Sequence, residues 1–230
     1  MCGRYAATAN PDELVEEFEI SFVDDGMDEV CAPRYNIAPT DTVPAVVERA
    51  KDDAVTRKLV GLRWGLVPGW AKAPTATMIN ARVETLTVKP SFRKAASARR
   101  CLLPASGYYE WRPETPAGGR RPVKQPYFLH PPSGPMVMAG IYEFWKGPDG
   151  WIASTAIITT DATDELGWVH DRMPMVVPAD SRDDWLDPGL TDAAAAVALL
   201  ATPSNLAHRK VSRAVSTVGN DGPELILPLA

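Results

Sequence analysis

The chain has 230 residues, of which 45% are hydrophobic and 23% charged. That is ordinary globular usage and enough length to bury a core without staples, so intrinsic disorder, collagen and coiled coil are excluded. The net charge of −5 argues against a generic polyanion binder.

In chain order, Asn10-Pro11-Asp12-Glu13 reads as a helix start: a cap, Pro at the first position, then acids in the first turn. Leu14, Val15 and Phe18 supply its apolar face. Thr42–Glu48, Val55–Trp64, Arg100–Leu103, Gly107–Trp111, Tyr127–Leu129, Met136–Tyr142, Trp151–Thr160 and Met175–Val177 read as strands, rich in β-branched and aromatic residues. Ser91 is placed to cap a short helix through about Ala98, and 183–186 and 192–201 read as late helices. Pro113–Pro126 and Pro131–Pro135 read as loops, the first a mobile excursion. The strands do not alternate with long helices, so a doubly wound parallel sheet is not expected. The pattern predicts a single α+β domain on a mostly antiparallel, barrel-like sheet with short peripheral helices.

No apolar run reaches the roughly 18 residues of a membrane span, and Met1-Cys2-Gly3-Arg4-Tyr5 lacks a secretory apolar region. Cys2, Cys31 and Cys101 cannot all pair and form no CxxC, and His130, His170 and His208 stand isolated. No disulfide scaffold, metal site or cofactor is expected, and the reading is a reduced, cytoplasmic protein. The charge is uneven, however. Arg57 to Arg121 holds thirteen Lys or Arg and three acids, a local +10, which leaves −15 elsewhere. A basic middle in an acidic chain suggests a local anion site; a chance excess spread over several faces is the alternative.

Cys2 is the first residue with chemistry to offer. Loss of Met1 would give it a free α-amine beside its thiol. The amine has a reference pKa of about 7.7–8.0, so part of it is neutral near pH 7 and can attack an aldehyde. The thiol can then close on the imine carbon to form a thiazolidine. A Cys at position 2 of no consequence is the plain alternative. Glu110, flanked by Tyr109 and Trp111, is either paired, raised in pKa for proton transfer, or on an outward edge. His170 is a second proton carrier or a hydrogen-bonded structural histidine. Asn80 and Arg82 share one strand face and together could hold a sugar oxygen and a phosphate. Trp70 lies in the basic stretch, where exposed aromatics form platforms for single-stranded nucleic acid, whereas Trp64 reads as core.

Taken together, seven blocks resemble one family. They are Met1-Cys2-Gly3-Arg4-Tyr5, Arg34-Tyr35-Asn36-Ile37-Ala38-Pro39, Trp64-Gly65-Leu66-Val67-Pro68-Gly69-Trp70, Ile79-Asn80-Ala81-Arg82-Val83-Glu84-Thr85, Gly107-Tyr108-Tyr109-Glu110-Trp111, His170-Asp171-Arg172-Met173-Pro174 and Val211-Ser212-Arg213-Ala214-Val215. Their order and spacing resemble the SRAP family, the SOS response-associated peptidases, over a single domain at 2–230. The resemblance implies a sensor and shield of abasic sites in single-stranded DNA. Cys2, exposed by thiol autopeptidase removal of Met1, would trap the ring-opened sugar aldehyde as a covalent thiazolidine.

By the same resemblance Asn80 contacts the linkage, Glu110 assists ring opening and Schiff-base formation, and His170 helps proton transfer and crosslink reversal. Arg4, Arg82 and Arg172 match arginines that grip the DNA backbone. Trp70 matches an aromatic that stacks near the gap, Pro39 lies beside the same pocket, and Thr159 lines the site. One departure is Ala71, where many bacterial members carry a second tryptophan after Pro-Gly. The implied partner is single-stranded DNA with abasic sites, bound by a monomer at the nucleoid and away from any membrane. A thiol peptidase using Cys2, His170 and Glu110, and a plain single-stranded DNA-binding module, are the competing readings.

Overall fold

A computed structural model describes residues 2–52, 54–74, 78–116, 118, 121–162 and 166–229. The chain opens with β1 (Tyr5–Ala7), α1 (Pro11–Phe18), β2 (Phe22–Val23), α2 (Met27–Val30) and β3 (Arg34–Ile37). A long hairpin follows, β4 (Thr42–Lys51) and β5 (Ala54–Trp64), then β6 (Asn80–Arg82), α3 (Val83–Leu86) and α4 (Arg93–Ala98). The middle is β7 (Arg100–Ala105), β8 (Gly107–Glu114), β9 (Val123–His130), β10 (Met136–Gly147) and β11 (Gly150–Asp161). β12 (Arg172–Pro174), α5 (Arg182–Leu186), α6 (Ala193–Ala198) and β13 (Ala207–Lys210) complete it, before short 3₁₀ turns at Arg213–Ser216 and Pro223–Ile226.

Two sheets result. One has the order β13-β9-β8-β1-β3, the other β12-β11-β10-β7-β4-β5-β2 with β6 beside β11. In the second, β11 also pairs with β5 in parallel, Ser154 with Arg63 and Thr155 with Trp64. That pairing closes β4, β5, β11, β10 and β7 into a five-stranded barrel and leaves those strands no free edge. The predicted α+β class with a mostly antiparallel, barrel-like sheet is the one observed.

The alternation of the strands sorts the core into faces. Val46, Leu59, Leu102, Ile141 and Ile158 point outward and pack against α1, α4, α5 and α6 through Leu14, Phe18, Ala96, Trp185 and Ala196. Val60, Leu62, Trp64, Leu103 and Ile157 point the other way, and Cys2, Tyr5 and Tyr108 of the first sheet complete their cluster. A smaller cluster of Ala6, Tyr109, Phe128, Val211 and Val215 seals that sheet's far side. The first sheet therefore lies between the barrel and the C-terminal segment. Gly107, at the start of β8, lets β9 approach closely: a Cβ there would sit 2.5 Å from the Leu129 carbonyl oxygen.

The helix expected at Asn10 is α1, and it carries a full capping box. The Asn10 side chain accepts from the Glu13 N–H at 2.9 Å, and Glu13 accepts from the Asn10 N–H at 3.0 Å. Trp64 is core, as expected, with its indole donating to the Ile79 carbonyl at 2.9 Å. Four expectations change. Ser91 does not cap α4, which begins at Arg93 behind Phe92 with no side-chain cap. The last helix ends at Ala198 rather than 201, its N-terminus held by Asp192. The strand expected at Met175–Val177 is at Arg172–Pro174, because β11 supplies partners there, and Val176 makes isolated bridges to Met138 and Ala201. The Pro113–Pro126 stretch is shorter as a loop, since Pro113 and Glu114 pair with Lys124 and Val123; residues 117, 119 and 120 lie outside the described residues.

Asn10→Ala should cost about 1 kcal/mol of unfolding free energy through the lost cap. Leu103→Ala, emptying space inside the barrel, should cost about 2–5 kcal/mol. Urea unfolding curves for the two variants check both the values and their order.

Candidate active site

Cys2 is fully buried, directly before β1. β1 is fixed on both edges, Tyr5 opposite Ile37 on one side and Tyr108 on the other. From the other sheet, the Asn80 amide donates to the Cys2 carbonyl at 2.8 Å. Residue 2 is therefore tied from both sheets. The thiol lies 4.0 Å from the Arg4 carbonyl oxygen, as a weak donor. Burial, then the neighbouring Glu110, pushes its pKa well above the usual thiol range. Cys31 and Cys101 are also buried, and burial raises them to about 11 and about 12.

Glu110 and His170 meet beside Cys2. The Glu110 carboxyl is buried, and that burial raises its pKa to about 7. Its Oε2 lies 3.9 Å from His170 Nε2, within ion-pair reach but beyond a direct hydrogen bond. His170 Nδ1 has two alternative partners. The Arg172 backbone N–H donates to it at 3.0 Å, while Asp171 Oδ1 lies 2.8 Å away. A neutral ring accepts from Arg172 and carries its proton on Nε2, facing Glu110; a protonated ring donates from Nδ1 to Asp171. Burial lowers the His170 pKa, which favours the neutral ring near pH 7.

Arg4 anchors the wall of the same cleft. Its Nη1 donates to Asn36 Oδ1 at 2.7 Å and to the Val215 carbonyl at 2.9 Å. Asn36 is only 1% exposed. Its amide donates to the carbonyls of Val215, Thr217 and Asn220 at 3.1, 3.0 and 2.8 Å. One side chain thus pins the C-terminal segment over the first sheet. The open cleft so formed has a volume of about 890 Å³ and includes Arg4, Glu110, Trp111 and His170 in its lining. A second cavity of about 630 Å³, by Leu14, Phe128 and His130, holds none of the catalytic or DNA-binding residues expected from sequence.

The remaining expected residues are placed as follows. Arg82 is exposed on β6, two residues beyond Asn80. Trp70 is 67% exposed in the loop after β5. Its neighbour Ala71 is anchored by the Trp145 indole, which donates to the Ala71 carbonyl at 2.7 Å. Pro39 is half-buried just after β3. Thr159 is fully buried on β11. Arg172 takes a post that its residue type did not announce. It is 7% exposed, with Nη1 on Glu84 at 2.6 Å and Asp161 at 2.5 Å, and Nη2 on the Thr159 carbonyl at 2.8 Å. In this arrangement its guanidinium serves the fold, and its backbone N–H orients His170.

The sequence reading missed Asn36 as a clamp, and Lys124, Arg213, Ser216 and Thr217 as cleft lining. Asn36 and Arg213 stood in two of the seven blocks, but their partners are distant in the chain. Among the described residues, no group of three or more His, Cys, Asp or Glu is placed to hold a metal ion. Nor is any helix long and apolar enough to cross a membrane.

Comparisons with known proteins show the family and the fold. The family model described as SOS response associated peptidase matches residues 1–218. The chain belongs to the SRAP family. It is 35% identical over 235 residues to the abasic site processing protein YoqW of Bacillus subtilis (strain 168), covering 98% of this chain and 99% of that one. It is 31% identical over 229 residues to the abasic site processing protein HMCES of Gallus gallus, covering 86% of this chain and 66% of that protein. A crystal structure of a Bacteroides thetaiotaomicron protein shares the fold at a TM-score of 0.83 and 22% identity, each chain wholly covered. A phage-related protein from Bordetella bronchiseptica matches at a TM-score of 0.68 and 31% identity, over 92% of this chain and 95% of that one.

The Glu110 environment gives a signed pH effect. Its carboxyl titrates near 7 when folded against an ordinary value of 4.5. Between those pH values the folded state binds the extra proton, so stability falls as pH rises through the window. Glu110→Gln should therefore raise the melting temperature at pH 8 and change it little at pH 4.5. Melting scans of both proteins across pH 4.5–8 check the sign, and an advantage that grows toward acid would contradict it.

Proposed function

We propose that this protein captures abasic sites in single-stranded DNA through a covalent link to Cys2, once Met1 is removed. The observation that carries the reading is the tie between Asn80 and the Cys2 carbonyl, 2.8 Å long, beside a buried carboxyl that titrates near 7. A residue-2 amine held in place next to a proton carrier of that strength suits aldehyde chemistry. The family membership and the names of the relatives, abasic site processing proteins, point the same way.

In this reading the Cys2 α-amine attacks the C1 aldehyde of the ring-opened sugar. A C–N bond forms, and the carbinolamine loses water to give an imine. The thiol then adds to the imine carbon, and its proton ends on the nitrogen. The balance is aldehyde plus aminothiol giving thiazolidine plus water. Glu110 moves protons at the sugar oxygen during ring opening and dehydration. With Glu110 and His170 3.9 Å apart, a substrate oxygen lying to one side of the pair can reach both and relay a proton. Asn80 fixes the direction of the amine, and Arg4 and Arg82 supply charge for the backbone. Trp70 offers an exposed stacking face. The protein acts as a monomer on the strand, in the cytoplasm at the nucleoid.

A thiol peptidase acting in trans draws less support. A thiolate is the nucleophile in such enzymes, whereas burial drives the Cys2 thiol upward. Self-removal of Met1 requires no such turnover.

A denaturing gel tests the reading. Purified protein lacking Met1 is mixed with a single-stranded oligonucleotide bearing one abasic site. A shifted band should form with that strand and not with intact DNA, and Cys2→Ala should abolish it. Glu110→Gln should slow band formation about 10²-fold or more, the scale of lost general acid–base catalysis. Absence of a band with verified Met1-free protein would sink the proposal and leave plain strand binding.

A further inference from the structure

The resemblance places three arginines on the DNA backbone, but Arg172 is buried against Glu84 and Asp161. The exposed cations of the cleft wall are different residues. Lys124 projects from β9 and Arg213 from the turn at Arg213–Ser216, and both line the cleft that holds Glu110 and His170. Among the described residues neither has an ion pair. Several other cations, Arg82 and Lys89 among them, likewise show no ion pair among the described residues, so what sets Lys124 and Arg213 apart is their shared place in the lining of this cleft. Two exposed positive charges on one wall of a cleft raise the local potential and favour an anionic ligand there.

The wall that carries them is preorganised. The Trp111 indole donates to Ser216 Oγ at 3.0 Å, and Asn36 and Arg4 hold the Val215 carbonyl at 3.1 and 2.9 Å. Asn220 Nδ2 donates to the Ala214 carbonyl at 2.9 Å. Arg213 therefore sits on a segment whose backbone is fixed on both sides, which lowers the ordering cost of binding. Lys124 is positioned by the β8–β9 ladder, opposite Pro113 and three residues along from the Glu110 level. At about 3.3 Å per residue, that is roughly 10 Å along the sheet, on the face that Trp111 shares with the C-terminal cover.

The two sheets sit on either side of Cys2. Asn80 and Arg82 belong to the barrel side through β6, whereas Lys124 and Arg213 belong to the first sheet and its cover. We propose that Lys124 and Arg213 form a second phosphate-binding wall, holding the backbone on the side of the lesion away from Arg82 and Trp70. Ser216 and Thr217 add hydroxyls to the same wall. This assignment rests on the single-stranded DNA reading of the cleft. It names which residues grip the far flank and makes the grip two-sided. Lys124 and Arg213 bind substrate and take no part in bond formation.

The double variant Lys124→Ser/Arg213→Ser tests it against intact, labelled single-stranded DNA over a range of salt. Each lost phosphate contact removes about 0.7 from the slope of log K against log salt, so the slope should become shallower by about 1.4. Affinity at low salt should fall at least tenfold. Lys124→Arg/Arg213→Lys should restore both, which a merely structural role would not require. With the lesion placed at one end of the strand or the other, the deficit should vanish for one of the two truncated strands. An unchanged slope in a protein that still captures abasic strands overturns this wall alone. A deficit that persists with both truncations overturns its one-sided placement. If the parent protein shows no salt-dependent strand binding, this wall and the strand reading of the cleft fall together.

Discussion

The hydrogen bond from Asn80 to the Cys2 carbonyl is the constraint on which the rest of the site depends. A chain end ordinarily frays, because ordering each residue costs about 1–2 kcal/mol and few contacts repay it. Here residue 2 is fully buried. Its backbone polar groups therefore need partners inside the protein. Asn80 meets that demand at the Cys2 carbonyl from the opposite sheet, and β1, three residues on, anchors the chain by pairing with both β3 and β8. The apolar return comes from Tyr5, which packs edge-on to Trp64 with ring centroids 5.2 Å apart. Any shift of β6 relative to β1 would move the terminus and loosen this packing together.

Barrel closure explains why β6 is held so well. β6 lies parallel to β11, and β11 is locked to β5 and β10 on its remaining path. The position of Asn80 is thus inherited from a closed ring of strands rather than from a loop. The opposite wall is rigid for a different reason. It rests on Asn36, whose amide and carbonyl are both fully engaged, and which joins β3, Arg4 and the C-terminal segment in one buried network. A satisfied polar network of this kind specifies one arrangement, because any alternative leaves buried groups unpaired.

Much of this was legible in local sequence. Asn10-Pro11-Asp12-Glu13 announced α1 because capping is a short-range interaction. The barrel strands were legible as β-branched and aromatic runs. The parallel pairing of β5 with β11 was not, since it joins Arg63 to Ser154 and leaves no local mark. Among site residues, Cys2 and Glu110 could be singled out from their chemistry and neighbours. Arg172 was assigned to the DNA backbone by family resemblance, and its burial could not be read locally because Glu84 and Asp161 arrive from α3 and β11. Asn36, Lys124 and Arg213 escaped for the same reason: each gains its role from partners far away in the chain.

The electrostatics of the site also order the proposed chemistry. Burial holds the Cys2 thiol protonated and the Glu110 carboxyl near half-titration at neutral pH. A protonated thiol is a poor opening nucleophile, whereas an α-amine near its reference pKa of about 7.7–8.0 is partly neutral. Amine attack therefore comes first in this environment. The imine that follows carries positive charge when protonated, beside Glu110. That charge favours ionisation of the carboxyl and of the thiol next to it. In the proposed reaction the thiol becomes reactive only after an aldehyde has been caught. A free buried thiolate would invite oxidation or attack on other electrophiles. The same burial that disfavours it at rest lets the substrate itself switch on the second bond-forming step.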